Sequence, residues 1–320
     1  MPKKPGRVEA DLAKVAACAA DPTSETSAAV LRGALERGAS FVVAAAAKLV
    51  AENDLHALAP LLAPAYLRVA DKDPGCRAKV AVVEALERLG RDEPDVFLHA
   101  ARCRQMEAAW GPPVDTAANL RPLGAAGLAA SLHPEAGAAV ARLLADSEWT
   151  SRAGAARAAA RLPPDVAVPL LVLRAEIGDL EPQVLGDCFR ALLDADAARG
   201  LAFVAARLDG KEEVAEQAAL ALGESRLETA VAPLCEYAER VAGPRRATAL
   251  IALALLRRDE AVAYLVALVR EANEKTATAA IDALAIHKHD ARVRDAVLAA
   301  VKARGERTLV DKAREALSDV

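Results

Sequence analysis

The sequence predicts an all-α protein, and three observations support this fold class. Ala, Leu and Val dominate a composition that is 54% hydrophobic but only 3% aromatic, and the residues that favour strands are scarce. Apolar residues recur at helical spacing. In residues 212–234, one helix face collects Val214, Ala215, Ala218, Ala219 and Leu222, and Gly223 is expected to end that helix. The same pattern then repeats along the chain, which predicts stacked helix pairs.

The repeat can be followed from the N-terminus. Residues 1–25 are predicted to form a basic tail and one capping helix, and residues 26–320 a single continuous array of helix pairs. A Leu near the end of each second helix sets the register. These residues are Leu49, Leu86, Leu128, Leu162, Leu192, Leu222, Leu253, Leu284 and Leu317. They are 30 to 42 residues apart, and a period of that length is typical of solenoid proteins.

Two stretches lengthen the period. One surrounds Asp71–Gly75, and the other is residues 103–115, CRQMEAAWGPPVD, where Gly-Pro-Pro predicts a loop longer than the other turns. Insertions in repeat arrays map to one edge and often to the binding face. Several prolines, including Pro94 and Pro169, are expected in the first turns of helices, where the missing N–H matters least.

The repeated text resembles the HEAT repeat. VVEALERLGRDE (82–93) and QAALALGESRLE (217–228) are variants of one phrase, and two turns carry an Asp followed six residues later by Arg, Asp71 with Arg77 and Asp146 with Arg152. The pattern is similar to the short bacterial HEAT form, also found in the phycobilin-lyase-like group of armadillo-type α-solenoids. LDGKEEVAEQ departs from it, with Glu in place of Arg. The resemblance implies a right-handed α–α superhelix of about nine helix pairs.

In that family the second helices line the concave side. Aligning them predicts that the groove is faced by Arg77, Asn119, Arg157, Asp187, Glu213, Glu216, Gln217 and Lys275, with Arg121 and Arg152 close by. The alternative is a solvated helix face on which Asp–Arg pairs join neighbouring repeats. Because the charges change sign along the row, a functional groove would favour a protein or peptide over a uniform polyanion.

Trp110 and Trp149 are the only tryptophans. In an Ala-rich array each is first expected to fill a gap between helices. The alternative is that one of them lies exposed at the rim as an anchor, since Trp is enriched at interface hot spots. Trp110, in the irregular loop, is the better candidate for that role.

No motif indicates catalysis, a cofactor or a metal. The chain lacks a phosphate-binding Gly loop, GxSxG and HExxH, and His287-Lys288-His289 is interpreted as an exposed turn. The five cysteines have no metal or redox spacing and are expected as buried thiols in helices of a cytoplasmic protein. A net charge of −4 disfavours nucleic acid as partner, no apolar run predicts a membrane span, and no oligomeric state is indicated.

The sequence therefore favours a non-catalytic scaffold that binds a protein or peptide on its concave face. The alternative is a DNA-binding protein or an enzyme similar to the HEAT-like alkylpurine DNA glycosylases, which hold damaged DNA with aromatic residues and an Asp in a basic groove. Trp110, Asp115, Trp149, Arg152 and Arg157 could imitate that set, although their spacing matches no motif of the family.

Overall fold

A computed structural model describes residues 6–318 and folds them almost entirely into α-helices. The all-α prediction is confirmed. The chain divides into two compact units, Met1–Leu162 and Pro163–Val320. The predicted basic tail, residues 1–5, lies outside the described residues, and the single continuous array over residues 26–320 stays a prediction.

The first unit contains nine α-helices among its described residues. They are α1 (Arg7–Ala17), α2 (Glu25–Arg37), α3 (Ser40–Glu52), α4 (Leu62–Val69), α5 (Arg77–Arg88), α6 (Pro94–Arg102), α7 (Leu120–Ala130), α8 (Ala136–Leu144) and α9 (Trp149–Ala159). Short 3₁₀ turns at Cys18–Ala20, His56–Leu61 and Pro74–Cys76 precede or follow them. The helix predicted within residues 1–25 corresponds to α1.

The second unit continues the same alternation up to residue 318. Its helices are α10 (Pro164–Ile177), α11 (Pro182–Ala195), α12 (Ala197–Ala205), α13 (Glu212–Glu224), α14 (Val231–Arg240), α15 (Pro244–Leu255), α16 (Asp259–Glu271), α17 (Glu274–Leu284), α18 (Ala291–Arg304) and α19 (Arg307–Leu317). Three 3₁₀ turns, Ala206–Asp209, Glu228–Ala230 and Ala285–His287, lie between them.

The Leu register matches the helices. Eight of the nine Leu positions fall within the odd-numbered helices α3 to α19, and Leu162 follows α9 by a few residues. In the first unit α3 packs on α5, α5 on α7 and α7 on α9, and in the second unit α11 to α19 pack in the same odd-to-odd order. Each unit thus has the repeat-like helical packing that the period predicts.

Local sequence explains several helix starts. Ser24, Asp196, Asn273 and Asp290 each accept a hydrogen bond from a backbone N–H of the following turn, which satisfies one of the open donors. Pro94 begins α6 as predicted. Pro169 is different, because it lies inside α10, beyond the first turn.

Two glycines mark close helix approaches. Gly223 does not end α13, as the sequence suggested, but lies within it, where a Cβ would collide with the backbone of Ala252 in α15. In the first unit, a Cβ on Gly124 would lie 2.5 Å from the Ala101 nitrogen and 2.6 Å from the Phe97 carbonyl oxygen. Glycine therefore lets neighbouring helix backbones meet directly in both units.

The loop expected at residues 103–115 forms a small hairpin. Its two strands, β1 (Met106–Glu107) and β2 (Val114–Asp115), pair antiparallel between α6 and α7, with Met106 opposite Asp115. Over residues 6–318 this is the one departure from helix and turn that involves strand pairing. None of the helices in the same range combines the length and the apolar character that a bilayer span needs.

Candidate functional site

The structure separates the predicted groove residues by exposure. Arg77, Trp110, Asn119, Arg157, Glu213 and Lys275 are exposed, and Arg152, Glu216 and Gln217 are half-buried. Arg121 and Asp187 do not face a groove as predicted, because only 1% and 3% of their surfaces are exposed. Neither side chain can meet a partner at the surface in this conformation.

Arg121 is buried because two carboxylates surround it. Its Nη1 donates to Asp115 Oδ2 at 2.7 Å, and its Nε and Nη2 donate to the two carboxylate oxygens of Asp146 at 3.0 and 3.1 Å. The Cys103 carbonyl and the Ser151 hydroxyl accept its remaining bonds. Arg121 therefore joins the hairpin end of its own repeat to the turn that begins the next repeat.

The charged forms of Arg121 and Asp115 are favoured although both residues are buried. Burial alone would lower the pKa of Arg121, but the carboxylates of Asp115 and Asp146 outweigh it and raise that pKa. Burial alone would raise the pKa of Asp115, but the Gln105 backbone N–H and the Arg121 guanidinium hold that pKa below its usual value. Arg121 thus makes the Asp–Arg contacts between repeats that the alternative includes, but it makes them in the interior and not on a solvated helix face.

The sequence contains a signal for the pairing of Asp115 with Arg121. Asp115 precedes Arg121 by six residues, the same spacing as Asp146 and Arg152. In the preceding repeat, the two buried residues at this spacing are Asp73 and Lys79, and not Asp71 and Arg77. Asp73 caps α5 by accepting from the backbone N–H groups of Ala78 and Lys79.

Arg77 and Arg152 have other contacts. The Arg77 guanidinium lies 5.4 Å from the ring centre of Phe41 in α3. Arg152 Nη1 donates to the backbone carbonyls of Asp146 and Ser147, at 2.9 Å each. Both side chains hold neighbouring elements of the first unit together.

Asp187 lies in α11, where its buried carboxylate forms an ion pair. Arg190 donates to its carboxylate at 2.7 Å and to Glu224 of α13 at 3.2 Å. Arg190 thus links Asp187 to α13. The Asp187 carboxylate, which was expected in the groove, takes part instead in the packing of α11 on α13.

The hairpin exposes apolar side chains. Trp110 is fully exposed at its tip, and Met106 and Val114 are more than half exposed on its strands. The base of the hairpin is firmly held, since the Asp115 carboxylate accepts from the Gln105 and Ala117 backbone N–H groups at 3.1 Å each, and the side-chain amide of Gln105 donates to the Asp73 carbonyl at 2.8 Å. Trp110 does not fill a gap between helices.

A groove runs over α5, α7 and α9. It encloses about 520 Å³, and its floor is formed by apolar residues such as Val80, Leu123 and Ala158. Its rim carries both signs of charge together with an amide: Glu84, Glu87, Asn119, Arg157 and Arg161. Two of the predicted residues, Asn119 and Arg157, are therefore brought to one groove, where Arg161 also pairs with Glu87.

The predicted residues of the second unit form no comparable groove together. Glu213, Glu216 and Gln217 lie along α13, where the Gln217 amide packs over Gly186 of α11. Lys275 lines a separate concavity of about 480 Å³ at the start of α17, beside Arg246 and Asn273. His287 donates from Nε2 to the Ala254 carbonyl oxygen, 2.9 Å away.

Cys76 and Cys103 differ from the cysteines that the sequence predicted. They lie in turns and not within α-helices, where the Cys76 thiol lies 3.7 Å from the Thr116 hydroxyl and Lys79 Nζ lies 3.6 Å from the Cys103 sulfur. The hydrogen bond from Cys76, followed by the nearby Lys79 and His99, lowers the pKa of Cys103 to about 6, against the raising effect of its burial. The bond to Cys103, followed by burial, raises the pKa of Cys76.

The described residues contain no group of three His, Cys, Asp or Glu side chains that could hold a metal ion. In the set compared with the alkylpurine DNA glycosylases, Asp115 is the acidic residue. Its carboxylate is buried and bonded to Arg121, so it does not face a groove. Trp149 is partly exposed at the start of α9.

Comparison with known proteins assigns no family. No protein-family model and no curated protein matches the chain. Among solved structures, the crystal structure of an engineered protein is similar over 98% of this chain and 95% of its own, with 17% identity and a TM-score of 0.37. A likeness that low carries no argument about this chain.

Proposed function

We propose that the protein is a non-catalytic scaffold that binds a protein or peptide. The observation that carries this proposal is Trp110, a fully exposed tryptophan on a hairpin whose base is fixed by buried hydrogen bonds. A large aromatic side chain on a rigid support loses little conformational entropy when it binds, and tryptophan is enriched at interface hot spots. Met106 and Val114 extend its apolar area.

The groove over α5, α7 and α9 supports the same function. An apolar floor with a rim of mixed charge fits a peptide that carries both acidic and basic side chains, and it fits a polyanion less well. The repeat-like packing supports the HEAT-type solenoid, and the proposal includes its right-handed course and its concave binding face. The five free cysteines fit a reducing cytoplasm.

The test is capture of a partner from the native host by wild-type protein and by Trp110→Ala. We expect Trp110→Ala to weaken capture by about 2 kcal/mol or more, while the far-UV circular dichroism stays unchanged. Leu180→Ala is the matched control, since Leu180 is an almost fully exposed apolar residue in the second unit. Equal capture by wild type and Trp110→Ala would show that Trp110 takes no part in binding the partner.

Duplex DNA serves as competitor in the same experiment. Displacement of the captured protein by DNA at moderate salt, with a steep salt dependence, would make nucleic acid the partner class. We expect no displacement, because the groove rim carries acidic as well as basic side chains.

A further inference from the structure

A basic side chain occupies the same register position in three repeats. Lys79, Arg121 and Arg246 each lie seven residues before the Leu that sets the register of their repeat. Each of them donates to the backbone carbonyl of the residue that directly follows the preceding even-numbered helix. Arg121 of the first unit and Arg246 of the second unit therefore occupy equivalent places in their repeats.

The carboxylates that neutralise Arg121 have no counterpart around Arg246. Asp115 lies in the segment before α7, and Asp146 lies in the turn before α9. The corresponding turns of the second unit, residues 241–243 before α15 and residues 272–273 before α17, read VAG and AN and contain no acidic residue. Within residues 6–318, the partners of Arg246 are all neutral oxygens.

These oxygens hold the Arg246 guanidinium in place. Nε donates to the carbonyls of Ala238 and Val241 at 3.0 and 2.8 Å. Nη2 donates to the Glu239 carbonyl and Nη1 to the Thr276 hydroxyl, both at 3.4 Å. Each Nη atom carries a second N–H, and a carboxylate can accept from two guanidinium N–H groups at once.

Arg246 lines the concavity of about 480 Å³ at the start of α17, and all lining residues are neutral or basic. The second cation is Lys275, which is exposed. Thr276 is only 8% exposed, and in the described part of the chain its hydroxyl accepts from Arg246 without donating to another residue. Pro244 and Ala247 belong to the apolar part of the wall. The concavity thus combines cations and a hydroxyl donor with an apolar surface.

The acidic residues nearest in sequence do not line this concavity. Glu239, Glu271 and Glu274 are exposed and lie outside its wall. Glu274 also accepts a hydrogen bond from the Thr308 hydroxyl at 2.8 Å. The described wall therefore supplies no counterion of its own, so that an anion from outside would be attracted to it.

We infer that this concavity binds a carboxylate that carries a short apolar group. The carboxylate accepts from Arg246 and Thr276 and is attracted by Lys275, and the apolar group contacts Pro244 and Ala247. A phosphate would offer that apolar wall no apolar surface, so a carboxylate is the better fit. The carboxylate belongs either to a small carboxylic acid or to the C-terminus of a polypeptide. This inference concerns the second unit alone and is independent of the binding function proposed above.

The test is fluorine NMR of trifluorobutanoate titrated with the full-length protein, with trifluorobutanamide as the neutral probe. We expect saturable binding of the carboxylate and about tenfold or more weaker binding of the amide, because hydrogen bonds to a charged group are lost. Arg246→Gln should weaken carboxylate binding by a similar factor. Since Arg246 also holds the end of α14, Lys275→Glu is the second variant. It changes an exposed residue and should weaken binding about tenfold while the far-UV circular dichroism stays unchanged.

Arg245→Gln is the matched control, because Arg245 adjoins Arg246 in sequence but pairs with Glu212 at 3.3 Å and does not line the concavity. It should bind trifluorobutanoate within about twofold of wild type. Tetra-alanine with a free C-terminus, compared with its C-terminal amide, distinguishes the two sources. Tighter binding of this peptide than of trifluorobutanoate would identify a polypeptide C-terminus, and weaker binding a small carboxylic acid.

Four results would each overturn the inference. They are the absence of saturable binding, equal affinity for the carboxylate and its amide, unchanged affinity in Lys275→Glu, and displacement of trifluorobutanoate by inorganic phosphate at lower concentration than by butanoate.

Discussion

Among the residues that the structure describes, the first unit buries five charged residues among its packed helices, whereas the second unit buries fewer. Asp73, Lys79, Asp115, Arg121 and Asp146 are all buried in the first unit. Among the described residues of the second unit, Asp187 is buried, and the Asp179 side chain is enclosed beside Arg174, 2.6 Å away. The two units have the same helical repeat, so the repeat itself does not require buried ions.

The difference follows the irregular turns. The buried ions of the first unit surround the two stretches that lengthen the period, where the backbone leaves the helix and exposes N–H and C=O groups that need partners. The short turns of the second unit use exposed pairs such as Arg240 with Asp209. Buried charges are thus more numerous beside the insertions than in the regular repeats.

The largest expected effect is the loss of Arg121. Arg121→Ala leaves the buried carboxylates of Asp115 and Asp146 without their cation, so we expect the free energy of unfolding of the first unit to fall by about 3–5 kcal/mol. Urea unfolding, with hydrogen exchange by mass spectrometry to assign the effect to a unit, measures it. Arg240→Ala, the exposed counterpart, should change stability by about 1 kcal/mol or less. Equal effects of the two substitutions would show that the buried ion cluster of the first unit stabilises the protein no more than an exposed ion pair does.

The glycine contacts should behave alike in both units. Gly124→Ala and Gly223→Ala each place a methyl group against a neighbouring backbone, and we expect each to lower the free energy of unfolding by about 1–3 kcal/mol. Gly33→Ala is the control, because its methyl group would meet only the movable end of Arg37. Alanine favours the helix there by up to about 1 kcal/mol, so unchanged or higher stability is expected. A stabilised Gly223→Ala would show that α13 and α15 can move apart.

A smaller difference should appear in acid. Because the folded-state pKa of Asp115 is depressed, its stabilisation is fully present above the unfolded Asp pKa of about 3.9 and is lost as pH falls through the folded-state pKa. Both tryptophans lie in the first unit, so their fluorescence follows that unit during urea unfolding, while circular dichroism follows both. Below about pH 4 the fluorescence midpoint should fall more than the circular dichroism midpoint. Parallel shifts would contradict this prediction.

The helix pairs could be predicted because they depend on local periodicity. Leu spacing located the odd-numbered helices, and Pro94 located the start of one even-numbered helix. The hairpin could not be predicted, because strands of two residues have no periodicity and their pairing depends on contacts with Asp73 and Arg121. Gly223 was misread because a glycine that ends a helix and a glycine that admits a neighbouring backbone look the same in sequence.

The candidate site was predictable only in part. Helix spacing placed Asn119 and Arg157 on exposed faces, and the loop composition drew attention to Trp110. The same spacing could not show that carboxylates from two turns converge on Arg121. It also could not bring Lys79 to Cys103, since that contact depends on how α5 and α6 are placed in space.

The odd-to-odd packing of α11, α13, α15, α17 and α19 bears on how such a chain can evolve. Each of these helices presents one face to the helix before it and an equivalent face to the helix after it. Duplication of one 31-residue segment, the interval from Leu222 to Leu253, would add a pair whose two outer faces meet the same kinds of neighbours as before. In-frame gain or loss of whole segments would thus change the length of the protein without requiring new compensating substitutions.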